Sequence, residues 1–351
     1  MSTTSSESPS HDATADALSR FSDVRPRPAA WLWRNWLPLG KLAILDGDPG
    51  GLGKSTLLFD LAARVSSSGV MPDGSAGVSG NVIILNAEDD PAETIQPRLA
   101  AVGANPERVF HLGEVNAGNR RRQVQIPDDA PLIGRLIAQQ DARLLIIDPL
   151  LAFLAGADAN CDQHIRRVLQ QISSLAQQHG CAVICVRHLN KGASPKAVYR
   201  GSGSIGMIGH ARTGLLVAQD PDDDAQRILA VSKCNLGVKP ASLRFALQDH
   251  EGVSRIVWRG TAPYQANDLV ERPPSADQRQ RRQAERACQD FIRRMLGGYA
   301  VPIASVKAEC QEAGFSMRTT ERAAHNLRLV WTRKYGMNMW SLPEAGNDSA
   351  A

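Results

Sequence analysis

No stretch of this 351-residue chain approaches the roughly 18 uninterrupted apolar residues that a membrane span requires, so nothing in it reads as a transmembrane helix. Cysteines are few and scattered. Cys161, Cys181, Cys185, Cys234, Cys288 and Cys310 form no CxxC pair, which indicates neither a zinc site nor a disulfide framework. Cys181 and Cys185 lie in an apolar strand pattern, as buried thiols do. The net charge is only +4, so any surface for nucleic acid has to come from local concentration of charge. No internal repeat is evident. The first 23 residues are rich in Ser, Thr, Asp and Ala and lack the apolar core of a signal peptide, which leads us to expect a disordered tail on a cytoplasmic protein. What remains is a hydrophobic fraction of 43%, enough for ordinary globular cores, in a length that suits two domains.

The most informative segment runs from Leu42 to Thr56. An apolar strand leads into the glycine-rich loop Gly47-Asp48-Pro49-Gly50-Gly51-Leu52-Gly53, followed by Lys54-Ser55-Thr56. Such a loop turns backbone N–H groups around phosphate oxygens and opens a helix whose positive end faces the same anion. In this Walker A arrangement Lys54 reaches the β/γ-phosphates and Ser55 holds Mg²⁺, which predicts ATP as ligand. The spacing departs from the strict pattern by one residue. Its first glycine position is taken by Asp48, with Gly47 one place early, as though Gly50 or Gly51 had been inserted. Glycines allow a bulge there without steric cost.

Short apolar runs alternate with helical patterns through the first two thirds of the chain, the signature of a parallel sheet covered on both faces. The expected strands are Leu42–Asp46, Val82–Asn86, Val109–Leu112, Leu144–Asp148 and Cys181–Val186. The expected helices are Lys54–Val65, Ala92–Val102, Pro131–Gln140 and Gln163–Gln178. From Thr213 strands joined by turns follow, at Gly214–Ala218, Arg227–Lys233, Ser242–Leu247 and Ser254–Trp258, extending the sheet in partly antiparallel fashion. Trp31, Trp33 and Trp36 precede the first strand and either pack the domain edge or stack on adenine. The fold class is therefore α/β, with an ATPase domain over residues 24–262. Proline, acid and an Arg/Gln run over 263–282 suit a linker. Residues 283–345 have their own pattern: helices at Ala284–Leu296, Ile303–Ala313 and Met317–Leu327, then strands at Val330–Arg333 and Met337–Leu342. With Ser316 as N-cap, this describes a small C-terminal winged helix-turn-helix domain. Residues 346–351 form a tail. From Ala276 to Glu344 there are 12 Lys/Arg against 7 Asp/Glu, which concentrates the positive charge here.

Candidate chemical groups fall at strand ends, where open α/β sheets place ligands. Asp148 ends an apolar strand in the Walker B manner and would hold Mg²⁺ through water. Glu88 follows the Val82–Asn86 strand and would polarise the water that attacks the γ-phosphate, although Glu88, Asp89 and Asp90 could equally form a solvated or helix-capping loop. His188 follows the next strand and could sense the γ-phosphate; Arg200, beyond a polar glycine-rich stretch, could contact phosphate or DNA. Lys233 could reach a neighbouring subunit's nucleotide or be an ordinary exposed lysine. In the C-terminal domain Arg318, Thr319, Arg322 and His325 lie on the expected recognition helix, and Arg333 and Lys334 in the wing. That surface binds nucleic acid or, as in many winged helices, protein.

These segments occur in an order that resembles the RepA-type branch of RecA-fold ATPases, related to the DnaB hexameric replicative helicases. The resemblance rests on Trp31-Leu-Trp, Leu37-Pro-Leu-Gly-Lys-Leu-Ala-Ile-Leu-Asp-Gly47, Gly53-Lys-Ser-Thr56, Asn86-Ala-Glu-Asp-Asp90, Leu145-Ile-Ile-Asp-Pro149, His188-Leu-Asn-Lys191 and Arg200-Gly-Ser-Gly203, and covers about Trp31 to Trp258. It implies a homo-hexameric ring with ATP and Mg²⁺ at subunit interfaces and single-stranded DNA in the channel, with primase or initiator proteins as partners. Lys54, Ser55, Glu88 and Asp148 match that family's nucleotide site, and His188 and Arg200 its later motifs. Where such helicases carry a Lys-x-Arg pair, this chain has Lys233-Cys-Asn235. The resulting expectation is a DNA-translocating ATPase, with a non-unwinding loader and a nucleotide-gated winged-helix regulator as alternatives.

Overall fold

The computed structural model describes residues 20–343 except 68, 118–119, 155–161, 189–205, 271–275 and 335. The elements are, in chain order, β1 (Trp31–Trp33), β2 (Leu37–Pro38), β3 (Leu42–Gly47), α1 (Lys54–Ser67), β4 (Asn81–Asn86), α2 (Gln96–Ala101) and β5 (Val109–His111). Then come β6 (Glu114–Ala117), β7 (Arg120–Gln123), α3 (Ala130–Gln139), β8 (Ala142–Asp148), α4 (Asp162–His179), β9 (Ala182–His188) and α5 (Gly206–His210). Strands β10 (Thr213–Gln219), β11 (Gln226–Cys234), β12 (Ser242–His250) and β13 (Val253–Ala262) are followed by α6 (Ala266–Val270) and α7 (Ala276–Leu296). The chain closes with β14 (Val301–Pro302), α8 (Ile303–Glu312), α9 (Met317–Asn326), β15 (Val330–Lys334) and β16 (Met337–Ser341).

Nine strands form one sheet in the order β13-β12-β11-β10-β3-β9-β8-β4-β5. From β10 to β5 the neighbours are parallel, and β10 through β13 pair antiparallel. This is a RecA-like P-loop core. Alternation along the central strand divides the interior: Ala43 and Leu45 face a layer containing Leu57, Leu61 and Val65 of α1, whereas Leu42 and Ile44 face Ile133 of α3 and Ile165 and Leu169 of α4. Both faces are covered, which is why the central strands read as continuous apolar runs. Trp33 and Trp36 stack with ring centroids 4.5 Å apart and are fully buried. They pack the domain edge, and their burial removes them as an adenine platform.

Several elements differ from the sequence reading. The helix expected over Ala92–Val102 opens instead with a wide π-type turn at Pro91–Ile95 before α2. Phe21–Asp23, within the expected tail, makes one 3₁₀ turn, and residues 1–19 lie outside the described residues. Residues read as linker contain α6, whose Ala266 and Val270 bury against Leu216, Ile228 and Ala230. Helix α7 begins at Ala276, eight residues before the expected start. The Arg/Gln/Ala run that suggested a linker by polarity is also a run of strong helix formers. Arg286 of α7 ties back to the core, donating to the Tyr264 hydroxyl at 3.0 Å and pairing with Asp222. In the C-terminal segment α7, α8 and α9 enclose Cys288, Ile292, Val306, Cys310 and Ala323, beside the three-stranded sheet β14-β16-β15.

At the centre of the large sheet β3 and β9 carry opposite charges at the same level. Arg187 Nε donates to Asp46 Oδ1 at 2.7 Å and Nη2 to Oδ2 at 2.8 Å, with both side chains about 1% exposed. Removing one partner of such a pair leaves an uncompensated buried charge, at a cost of roughly 3–5 kcal/mol. Chemical denaturation should therefore show Arg187→Leu losing about that much stability, while the double variant Asp46→Leu/Arg187→Leu recovers most of it. Equal losses in single and double variants would refute this account.

Candidate functional site

The loop between β3 and α1 takes up its extra residue with consecutive left-handed glycines. Gly50 and Gly51 have φ of +76° and +70°, and the Leu52 N–H turns back to the Gly50 carbonyl at 3.0 Å. A Cβ on either glycine would meet nothing within 4 Å, so the bulge projects into open space and the flanking residues keep their places. Gly47 is different: a Cβ there would lie 2.9 Å from the Val217 carbonyl oxygen and 3.1 Å from Lys54 Cδ. Only glycine lets the loop leave the sheet so close to β10. Gly53, at φ +79°, is backed by Leu247 of β12.

Lys54 is buried at the start of α1, and its ammonium donates to the Asp48 carbonyl at 2.7 Å, inside the loop that would cradle phosphate. Burial holds the ammonium below its ordinary value, against the opposing pull of Asp148, Asp48, Glu88 and Asp46. Asp148, at the end of β8, is 4% exposed, and its Oδ2 has no hydrogen-bond partner among the described residues. Burial pushes this carboxyl up to about 6; the Ser55 hydroxyl and the Lys54 ammonium pull it down, and Glu88 and Asp89 push it further up. A buried carboxylate oxygen lacking a partner, beside a hydroxyl at the mouth of a phosphate loop, fits the donor set of a hard cation such as Mg²⁺.

The three acids after β4 separate into distinct tasks. Asp90 caps the following turn, accepting from the Ala92 and Glu93 N–H groups at 2.8 Å each. Asp89 pairs with Arg98 at 3.4 Å. Glu88 stays largely exposed, its Oε1 4.0 Å from His188 Nε2. Asn86 at the strand end accepts from the Glu88 and Asp89 N–H groups at 3.0 and 2.7 Å, which fixes the turn that presents Glu88. His188 sits opposite Gly47 in the β3–β9 register, and Asp148 opposite Asn86 in the β4–β8 register. Four neighbouring strands thus bring the Lys54 loop, His188, Asp148 and Glu88 to one edge. Burial and the Lys54 ammonium hold the imidazole below its ordinary value, with Glu88 opposing, so His188 is neutral at pH 7.

Other candidates lie elsewhere. Lys233 is at the opposite edge of the sheet, paired in register with Gly214, and its ammonium donates to the Ile208 and Gly209 carbonyls at 2.8 and 3.0 Å. Arg200 falls outside the described residues. Arg318, Arg322 and His325 are exposed on α9; Thr319 shares a hydrogen bond with the Ser316 cap, and Arg333 and Lys334 are exposed on β15. The sequence reading did not assign Asp46 and Arg187 to each other, nor Asn86 as the residue that shapes the Glu88 turn. It also passed over Arg227, whose guanidinium approaches the Gly51 carbonyl at 3.5 Å. The available signal for the first was a pair of opposite charges each one residue from the end of an apolar strand.

A profile described as AAA domain matches residues 7–194, just over half of the chain. The chain belongs to the AAA domain family. The match takes in the loop around Lys54, Glu88, Asp148 and His188. A similar protein is the DNA repair protein RadA of Streptococcus pneumoniae (strain ATCC BAA-255 / R6), 26% identical over 153 residues. That alignment covers 43% of this chain and 31% of RadA, so the chain spans about a third of that relative's length. Family and fold agree on a RecA-like P-loop core for this AAA domain protein. Among the described residues no helix is long and apolar enough to cross a membrane.

The raised Asp148 carboxyl sets a pH dependence. Between its ordinary 3.8 and about 6 the folded chain binds more protons than the unfolded one. Its contribution therefore favours the fold at low pH and is lost as pH rises through about 6, about 3 kcal/mol in all at 1.36 kcal/mol per unit. Asp148→Asn should flatten that slope and raise the nucleotide-free unfolding midpoint at pH 7.5, while Mg²⁺-dependent nucleotide binding weakens. Thermal scans from pH 5 to 8 on both proteins check this, and parallel slopes would count against it.

Proposed function

We propose that the chain is an ATP-hydrolysing DNA motor, a replicative helicase-like ATPase serving a plasmid, phage or integrated element. The observation that carries the reading is the meeting of Lys54, Ser55, Asp148, Glu88 and His188 at one edge of a RecA-like sheet. In this reading the loop between Gly47 and Thr56 would hold the phosphates of ATP with its available backbone N–H groups and with Lys54. Ser55 and Asp148 would hold Mg²⁺, which would supply charge neutralisation at the phosphates. Glu88 orients and polarises the attacking water, and neutral His188, within reach of Glu88, reports the γ-phosphate to β9. Phosphoryl transfer asks mainly for positioning and charge stabilisation, which this set provides.

Assembly as a homo-hexamer would put nucleotide at subunit interfaces and single-stranded DNA in the channel, with Arg200 and Lys233 as basic groups acting across the interface. The C-terminal segment would be a winged helix that touches nucleic acid through Arg318, Thr319, Arg322, Arg333 and Lys334, or docks primase or initiator proteins. The likeness to a DNA repair protein supports a DNA-linked role. One observation favours a second reading, an ATPase that loads or remodels proteins on DNA without unwinding it: the Lys233 ammonium is engaged with Ile208 and Gly209 carbonyls on the sheet edge away from the nucleotide.

Phosphate release from ATP, with and without single-stranded DNA, tests the proposal. Turnover stimulated by DNA is expected, Lys54→Ala should abolish it, and Glu88→Gln should lower it by roughly 10²–10⁴ while nucleotide still binds. Bound ATP without turnover would make the nucleotide a switch. Strand separation on a forked duplex divides the motor from the loader.

A further inference from the structure

The nucleotide site uses the carboxyl ends of the parallel strands. On the opposite edge, roughly 20 Å away along a six-residue strand, lies a second concave feature. A pocket of about 440 Å³ is bounded by the starts of β3 and β10, the end of α5 and one stripe of α4. Four basic side chains line it, Lys41, Arg166, His210 and Arg212, together with neutral hydrogen-bonding groups of α4; among the described residues no carboxylate lines it.

The fold fixes this concentration of charge. Lys41 and Arg212 immediately precede neighbouring parallel strands whose register sets Ala43 beside Thr213. Their backbones are held: the Arg212 N–H donates to the Leu42 carbonyl at 2.9 Å, and the Lys41 carbonyl accepts from Val183 at 3.0 Å. On α4, Arg166, Ser173 and Gln177 recur at helical spacing and so share the face turned to the pocket. The Ser173 hydroxyl is buried there and has no hydrogen-bond partner among the described residues. Nearby, the Lys233 ammonium is held below its ordinary value, first by burial and then by the Arg212 guanidinium. Arg212 and Lys233 thus repel one another, and an anion bound at Arg212 would relieve that repulsion.

We propose that this pocket binds a phosphate group of a second anionic ligand, on the sheet edge opposite the P-loop. Arg212 and Arg166 supply forked donors that match phosphate geometry, Lys41 a point charge, and Ser173 a hydroxyl donor. The group belongs to a nucleic-acid backbone or to a free polyphosphate, which offer the same chemistry to these side chains. The inference stands apart from the reading of ATP turnover, since no residue of the P-loop edge takes part.

The test uses the full chain with Lys54→Ala to disable the P-loop, with and without Lys41→Gln/Arg212→Gln. A fluorescent oligothymidylate followed by anisotropy across a salt series, and inorganic pyrophosphate followed by calorimetry, are the probes. The pocket variant should weaken at least one probe by about tenfold or more, the scale of one charge-assisted hydrogen bond. Loss confined to the oligonucleotide, with its logarithmic salt slope reduced by roughly 0.7 per contact, assigns the phosphate to a strand backbone. Loss confined to pyrophosphate assigns it to a free anion. Unchanged binding of both probes overturns the proposal. So does an equal loss in Arg108→Gln/Arg259→Gln, which removes the same charge from exposed positions elsewhere. Both arginines chosen for removal at the control sites and Arg212 itself are exposed, so unaltered thermal midpoints are expected throughout.

Discussion

The pairing of Asp46 with Arg187 holds the centre of this molecule in register. Both charges are buried between apolar layers, where each alone would cost several kcal/mol. Two short hydrogen bonds in fork geometry offset that cost in one alignment of β3 with β9. A slip of one residue would turn both side chains to opposite faces and strand both charges. Because Asp46 directly precedes Gly47 and Arg187 directly precedes His188, the same alignment sets the P-loop beside the imidazole.

Around that fixed pair the edge that carries the P-loop holds more acids than bases near Lys54. Asp148, Glu88, Asp89 and Asp48 surround one buried ammonium, Lys54, and all act on it or on Asp148. The raised Asp148 carboxyl is the electrostatic consequence: burial and like charge disfavour its ionised form. The opposite edge gathers basic side chains, Lys41, Arg166, His210 and Arg212, around one pocket.

The C-terminal segment is joined to this core through more than chain connectivity. Arg286 reaches from α7 to Tyr264 and Asp222, on either side of the antiparallel strands. Asp222 lies in the turn between β10 and β11, and β11 also carries Arg227 toward the Gly51 carbonyl. A short path of polar contacts therefore runs from the phosphate loop to α7, the first helix of the segment that holds the exposed arginines of α9.

Much of this was legible in the order of residues. Apolar runs with helices between them specified the parallel sheet, since strands buried on both faces have to be apolar throughout. Glycines before Gly53-Lys54-Ser55 specified a P-loop because only they tolerate its dihedrals, and the apolar run before Asp148 specified a strand that ends in a carboxylate. Helix formers in the stretch read as linker were outweighed by their polarity, and α7 was consequently placed too short. Tertiary structure alone decided the rest. Which of Glu88, Asp89 and Asp90 faces the site depends on Asn86 and Arg98, and whether Lys233 lies near the nucleotide depends on the direction of β11. Asp46 and Arg187 become partners, and Lys41 and Arg212 neighbours, only when strands far apart in the chain are laid side by side. Local propensity and pattern act over a few residues, whereas the pairing of strands is settled by burial summed over the whole sheet.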